Sequence, residues 1–169
     1  PAAAPVVLTG FGRVGQRIGK VLTQAGVPYI AIDNNSSLVL EQRANGFPVF
    51  YGDARRSDVL RSIGIADARC VIVIIDDFKA SERIVSTLRE AHPRIEILAR
   101  GHDAAQCRQL RDLGATVAVS ENLEASVELA REALLHEGVA AERGEALLQA
   151  FRAEYYADVD EAPASDAKV

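Results

Sequence analysis

Apolar residues recur along this chain in two alternating rhythms. Short β-branched or apolar runs fall near Val6–Thr9, Tyr29–Asp33, Pro48–Tyr51, Cys70–Ile75, Ile95–Arg100 and Thr116–Val119, each a strand's length. Between them, near Val14–Ala25, Ser37–Asn45, Asp58–Ile63, Lys79–His92, Ala104–Leu113 and Leu123–His136, the apolar spacing is that of amphipathic helices. Gly26, Gly46, Gly64 and Gly114 each follow a helical run by about one residue, where a left-handed cap suits glycine, and Pro93 halts the helix before it. Strands that alternate with helices predict an α/β fold with a doubly wound six-stranded parallel sheet, because parallel neighbours need crossover connections. Several of the strands are apolar on both faces, as buried parallel strands are.

After Gly138 the stretch AAERGEALLQAFRAEYYADV places apolar residues at Ala146, Leu147, Ala150, Phe151 and Tyr155. A lone amphipathic helix beyond a completed sheet has no core of its own and must dock. The preferred reading is a crossover or dimerisation helix that docks on a second copy; a seventh helix packed on the same body is the alternative. The expected division is a linker over 1–5, a nucleotide-binding domain over 6–137, the crossover helix over 138–158 and a disordered tail over 159–169. The opening PAAAP reads as a cut edge rather than a signal peptide, and the acidic, small-residue end DVDEAPASDAKV has almost nothing to bury, so both ends read as those of a fragment.

Composition narrows the function. With 169 residues, 49% of them apolar, the chain can bury one good core but is short for two ordinary domains. A net charge of −5, with basic residues scattered rather than striped, argues against a nucleic-acid partner. The two cysteines, Cys70 and Cys107, belong to a strand expected to be buried and to a helix, with no further Cys or His at ligand spacing, which argues against structural zinc and a disulfide framework. The longest apolar run, Cys70 to Ile75, falls far short of the roughly 20 residues a membrane span needs.

The informative motif is GFGRVG after the first strand. Gly10 allows a tight turn, Gly12 lets backbone approach a phosphate, and Gly15 lets the following helix pack close to the sheet. Phe11, Arg13 and Val14 complete this loop, whose N–H groups point at an anion with the helix dipole behind them. Asp33 ends the second strand, where a carboxylate accepts hydrogen bonds from ribose hydroxyls and repels a 2′-phosphate, so NAD or an adenine mononucleotide is favoured over NADP. Asn34 stands beside it. Ligands of open α/β sheets bind beyond the carboxyl ends of strands, which makes Gly52, Asp53 and Ala54 candidates for adenine, Asp76 a rim carboxylate, and Arg100 a phosphate or ribose contact. Helix capping is the alternative for the two aspartates, and pairing with a rim carboxylate is the alternative for Arg100. The loop is not a P-loop, since Gln16 and Arg17 stand where Lys and Ser/Thr are required.

Groups that would turn a cofactor over are missing. No tyrosine has a lysine four residues on, and His92, His102 and His136 read as helix-end or surface residues, His102 lying on the ligand-facing rim. A methyltransferase would add a seventh, antiparallel strand and another glycine pattern, and no nucleophile motif is present. The reading is a Rossmann site that binds a nucleotide without transforming it.

GFGRVGQ, the AID that ends strand two, VFYGDARRSDVLRSIGI, VIVIIDD, ILARGHD with LRDLGA after it, and SENLEAS together resemble the regulator-of-potassium-conductance (RCK) or TrkA-N domains. The similarity runs from Val6 to His136 and is closest to the C-terminal domain of Kef-type potassium/proton antiporters. It implies a homodimer formed through the last helices, AMP or NAD(H) in the cleft, and a covalently attached transmembrane antiporter whose potassium efflux the ligand state gates. It also implies a place on the cytoplasmic face of the inner membrane and, for some members, an ancillary subunit. On matching positions Gly10, Gly12, Arg13 and Gly15 would hold phosphate, Asp33 ribose, and Asp53 with Ala54 adenine, while Arg100 would be a second phosphate or interface residue. The chain departs from the pattern in Arg55, which replaces the usual Thr, and in having no asparagine after Asn122, which puts glutathione control in doubt. Glu121 and Glu124 resemble acidic metal positions of some potassium-channel relatives, though helix-dipole partnership is the simpler role. The alternatives are a free-standing potassium-uptake regulatory subunit of the same fold, or a small NAD-dependent oxidoreductase.

Overall fold

The computed structural model describes residues 4–161. Six strands, β1 (Val6–Thr9), β2 (Tyr29–Asp33), β3 (Val49–Tyr51), β4 (Cys70–Val73), β5 (Glu96–Gly101) and β6 (Val117–Ser120), form one parallel sheet in the order β3-β2-β1-β4-β5-β6. The helices are α1 (Arg13–Gln24), α2 (Ser36–Ala44), α3 (Ser57–Ser62), α4 (Phe78–Ala91), α5 (Ala104–Leu113), α6 (Glu121–His136) and α7 (Ala141–Asp160). The doubly wound architecture is as expected, and the strand order reverses between β1 and β4, which is where such sheets open a crevice.

Alternation on the strands distributes the core. Val6, Leu8, Ala31 and Val49 pack with Phe11, Tyr29, Ile18 and Leu22 on the α1 side, whereas Val7, Val71, Val73, Ile97 and Ala118 pack with Ile84, Leu88, Cys107 and Leu110 on the α4–α5 side. Strand β4 ends at Val73, two residues short of the predicted end. Ile74 N–H still donates to the Thr9 carbonyl at 3.1 Å, but Ile74 and Ile75 then turn along the glycine loop and line the crevice. Cys107 is buried as a core residue, while Cys70 is only half-buried.

At the described ends, the Pro5 carbonyl accepts from Arg69 N–H at 3.0 Å, and α7 runs through Val159, which is 1% exposed. Residues 1–3 and 162–169, which carry the rest of both predicted segments, lie outside the described residues.

Helix α7 docks on its own chain through a different face from the one the pattern predicts. Gly144, Leu148 and Val159 are the buried positions, with Leu148 against Leu123 and Val127 of α6 and Val159 in the main core. Tyr155 donates to Ser120 Oγ at 2.9 Å, Tyr156 donates to Glu124 Oε1 at 2.8 Å, and Arg152 pairs with Glu124 at 3.0 Å. Of the predicted stripe Tyr155 packs inward, whereas Ala146, Leu147, Ala150 and Phe151 stay in solvent, with Leu147 50% and Phe151 52% exposed. The alternative, a helix on its own body, therefore describes one face of α7, and its other apolar face is left exposed by the described residues.

Candidate nucleotide site

A cleft of about 710 Å³ opens at the carboxyl ends of the strands, above the β1–β4 switch. The glycine loop forms its floor. Gly10 has φ +112°, and a Cβ there would meet the Ile74 carbonyl oxygen at 2.4 Å; one at Gly15 would meet the Gly10 carbonyl oxygen at 2.5 Å. These two glycines let the loop fold back on itself beneath α1. Gly12 is different, with an ordinary φ of −71° and open space where a Cβ would stand.

Gly12 is also the N-cap of α1, so that helix begins with no side-chain acceptor and no acidic residue in its first turn. Helices α2, α4, α5 and α6 each have such an acceptor, from Asn35, Asp77, Asp103 and Ser120 respectively. The first N–H groups of α1 thus face the cleft with no side-chain acceptor among the described residues and fit an anion. Arg13, exposed beside them, takes part in no ion pair among the described residues.

Asp33 is held in place by the loop it serves. Its Oδ2 accepts from Phe11 N–H at 2.9 Å and its Oδ1 from Asn35 N–H at 2.8 Å, which fixes the carboxylate beside the cradle with acceptor capacity left for hydroxyl donors. Gln16 braces the loop from α1, donating to the Phe11 carbonyl at 3.0 Å.

Two ion-paired groups flank the cradle. On the β3 side, Arg55 makes a forked pair with Asp53, which holds that carboxyl below its ordinary range. On the β5 side, Arg100 bridges Asp76 at 2.9 Å and Glu121 at 3.3 Å, and His102 lies 3.3 Å from the same Glu121. Glu121 opens α6, so this pairing ties the cleft rim to the α6–α7 hairpin. The pairing alternative thus describes Arg100. Capping of α4 falls to Asp77, whose Oδ1 accepts from Lys79 and Ala80 N–H, and not to Asp76.

Twelve of the thirteen predicted site residues line this cleft: Gly10, Gly12, Arg13, Val14, Gly15, Asp33, Asn34, Gly52, Asp53, Ala54, Asp76 and Arg100. Phe11 does not. Its ring is fully buried against Phe47, with centroids 5.5 Å apart, and only its N–H serves the site. The sequence reading missed Arg55, Asp77 and Glu121 as lining residues. The signals available were the departure from the family pattern at Arg55 and the helix-start carboxylate at Glu121, read as a dipole partner. Among the described residues no group of three His, Cys, Asp or Glu side chains is placed to hold a metal ion, and no helix is long and apolar enough to cross a membrane.

Residues 6–121 match the TrkA-N domain family. The chain belongs to that family. The chain is 32% identical over 161 residues to the glutathione-regulated potassium-efflux system protein KefC of Cronobacter sakazakii, an alignment that covers 95% of this chain and 26% of KefC. Among solved structures it is similar to the Shewanella denitrificans Kef C-terminal domain in AMP-bound form, with 30% identity, a TM-score of 0.81, and coverage of 93% of this chain and 96% of that one. It is also similar to the GsuK channel bound to NAD, at 31% identity and a TM-score of 0.67, over 82% of this chain and 26% of the channel. The domain spans about a quarter of the length of the potassium-efflux relatives it matches.

Proposed function

We propose that this domain binds an adenine nucleotide, AMP or NAD(H), without turning it over, and that its occupancy regulates potassium efflux through an antiporter to which it is covalently attached at the cytoplasmic face of the inner membrane. The observation that carries this reading is the uncapped N-terminus of α1, opening into the cleft between Arg13 and the anchored Asp33. The N–H groups of α1 and Arg13 would hold phosphate, Asp33 the ribose, and the Asp53 segment the base. The likeness to an AMP-bound Kef domain and to an NAD-bound channel supports the choice of ligand.

Regulation by such a site is a population shift: the nucleotide biases two arrangements of the assembly only by its difference in affinity for them. The second copy needed for two arrangements would dock on Leu147 and Phe151 of α7 and on Leu129 of α6, all at least half exposed. Arg100 and Glu121 place the cleft rim in contact with that hairpin.

Calorimetric titration of the domain with AMP, ATP, NAD and NADH, repeated on Asp33→Ala, tests the reading. Binding of AMP or NAD(H) that Asp33→Ala weakens at least tenfold is the expected result. Consumption of the nucleotide, or equal binding to Asp33→Ala, would refute it.

A further inference from the structure

Asp53 stands where the nucleotide reading puts the base, yet its carboxylate is already filled. Arg55 Nε lies 2.9 Å from Oδ1 and 3.2 Å from Oδ2, Arg55 Nη2 lies 2.8 Å from Oδ2, and the Arg55 backbone N–H donates to Oδ1 at 3.0 Å. A carboxylate offers about four acceptor directions. Three N–H groups of one residue therefore take up most of that capacity. Both side chains line the cleft, and both are partly open to solvent, at 43% for Arg55 and 30% for Asp53. Asp77, the cap of α4 on the far side of the β1–β4 switch, lines the same cleft.

We propose that Arg55 is a latch on the base end of the cleft, closing Asp53 in the empty site and thereby setting base selectivity. The inference rests on the adenine-nucleotide reading. The 6-amino group of adenine is a donor and needs a free acceptor on Asp53, so Arg55 must swing away before that contact forms. A 6-oxo purine presents an acceptor at the same place, which Asp53 repels and the guanidinium welcomes. With Arg55 present the pair offers a donor as well as an acceptor, and discrimination between the two bases is blunted. Removing Arg55 leaves the acceptor alone and sharpens it.

The opening cost follows from exposure. A solvent-screened ion pair of this kind shifts an equilibrium by about 1.4- to fivefold. The test is calorimetric titration of AMP and of inosine monophosphate, which carries the same phosphate and ribose, against the wild-type domain, Arg55→Ala, and the double variant Asp53→Ala/Arg55→Ala. Arg55→Ala should bind AMP about 1.4- to fivefold more tightly, gain nothing for inosine monophosphate, and lose its AMP gain when Asp53 is also removed. Weaker AMP binding by Arg55→Ala, or equal changes for both nucleotides, would make Arg55 a phosphate or stacking contact and overturn the latch. If neither nucleotide binds the wild type or Arg55→Ala, the nucleotide reading falls, and the latch falls with it.

Discussion

Three alanine substitutions in the glycine loop separate what the loop does for the fold from what it does for a ligand. At Gly15 a Cβ would stand 2.5 Å from the Gly10 carbonyl oxygen and 3.2 Å from the Ile74 side chain. The first neighbour is backbone, so relief requires moving α1 away from the loop. Overpacking of that kind costs about 1–3 kcal/mol, and at about 2–4 °C per kcal/mol for a chain of this size the melting temperature should fall by roughly 2–12 °C. Gly10→Ala adds the penalty of φ +112° to a 2.4 Å approach on the Ile74 carbonyl, for a loss of about 2–5 kcal/mol.

Gly12→Ala should behave in the opposite way. Its φ is ordinary and nothing lies within 4 Å of the added methyl, so stability should change by less than about 1 kcal/mol, the scale of an N-cap exchange. The same methyl projects where a phosphate would approach the α1 N–H groups, and AMP binding should weaken tenfold or more. Urea unfolding followed by far-ultraviolet dichroism gives the stabilities, and calorimetry on the folded variants gives the affinities. Gly12→Ala that unfolds as readily as Gly15→Ala, or that binds AMP like the wild type, would refute the assignment of packing to Gly15 and of ligand approach to Gly12.

Leu148, 6% exposed between α6 and α7, should cost about 2–3 kcal/mol when changed to Ala, by urea unfolding; Leu147→Ala, on the open face, should leave monomer stability within about 0.5 kcal/mol but weaken self-association in sedimentation equilibrium. Burial and the hydrogen bond to Glu124 push the Tyr156 hydroxyl up to about 12 from an ordinary 10.0. The unfolded chain therefore loses this proton first, so the contribution is intact below pH 10 and is lost as pH rises from 10 to 12. Unfolding free energy should decline across that window, and the decline should be smaller in Tyr156→Phe.

Much of the fold is legible because period-2 and period-3.6 patterns report which face meets a core: β1 and β2 are buried on both faces, and β6 buries every second residue. The six predicted strands and seven predicted helices lie within about two residues of those observed. The pattern leaves the outcome open where one helix has two apolar faces. On α7 the residues Ala146, Leu147, Ala150 and Phe151 outweigh Gly144, Leu148 and Val159 in hydrophobicity, yet the second set packs against its own chain. Tyr155, Tyr156 and Arg152 decide that choice by reaching Ser120 and Glu124, and such contacts between residues more than 25 positions apart leave no local trace. Apolar content on a helix says how much surface seeks a partner. It does not say whether that partner is the same chain.

The site divides along the same line. Glycines at fixed offsets and an acid at the end of β2 are local consequences of a strand turning into a helix, so Gly10, Gly12, Gly15 and Asp33 can be placed from their spacing alone. Charge pairing depends on which side chain wins a shared partner. Adjacent Asp76 and Asp77 look interchangeable in sequence, but one turns toward Arg100 and the other caps α4, because Asp77 is the residue directly before Phe78, where the helix begins and its carboxylate reaches the Lys79 and Ala80 N–H groups. The same holds for Arg100, which would be free for phosphate if Asp76 and Glu121 did not both reach it, and for Asp53, which would be free for adenine if Arg55 did not close on it. Of the three arginines around the cleft only Arg13 is in no ion pair among the described residues, and it stands beside the uncapped helix end. The positive charge available at the cradle without breaking an ion pair is therefore one side chain and one helix dipole. That suits the single phosphate of AMP or the diester pyrophosphate of NAD(H) better than the concentrated charge of a nucleoside triphosphate.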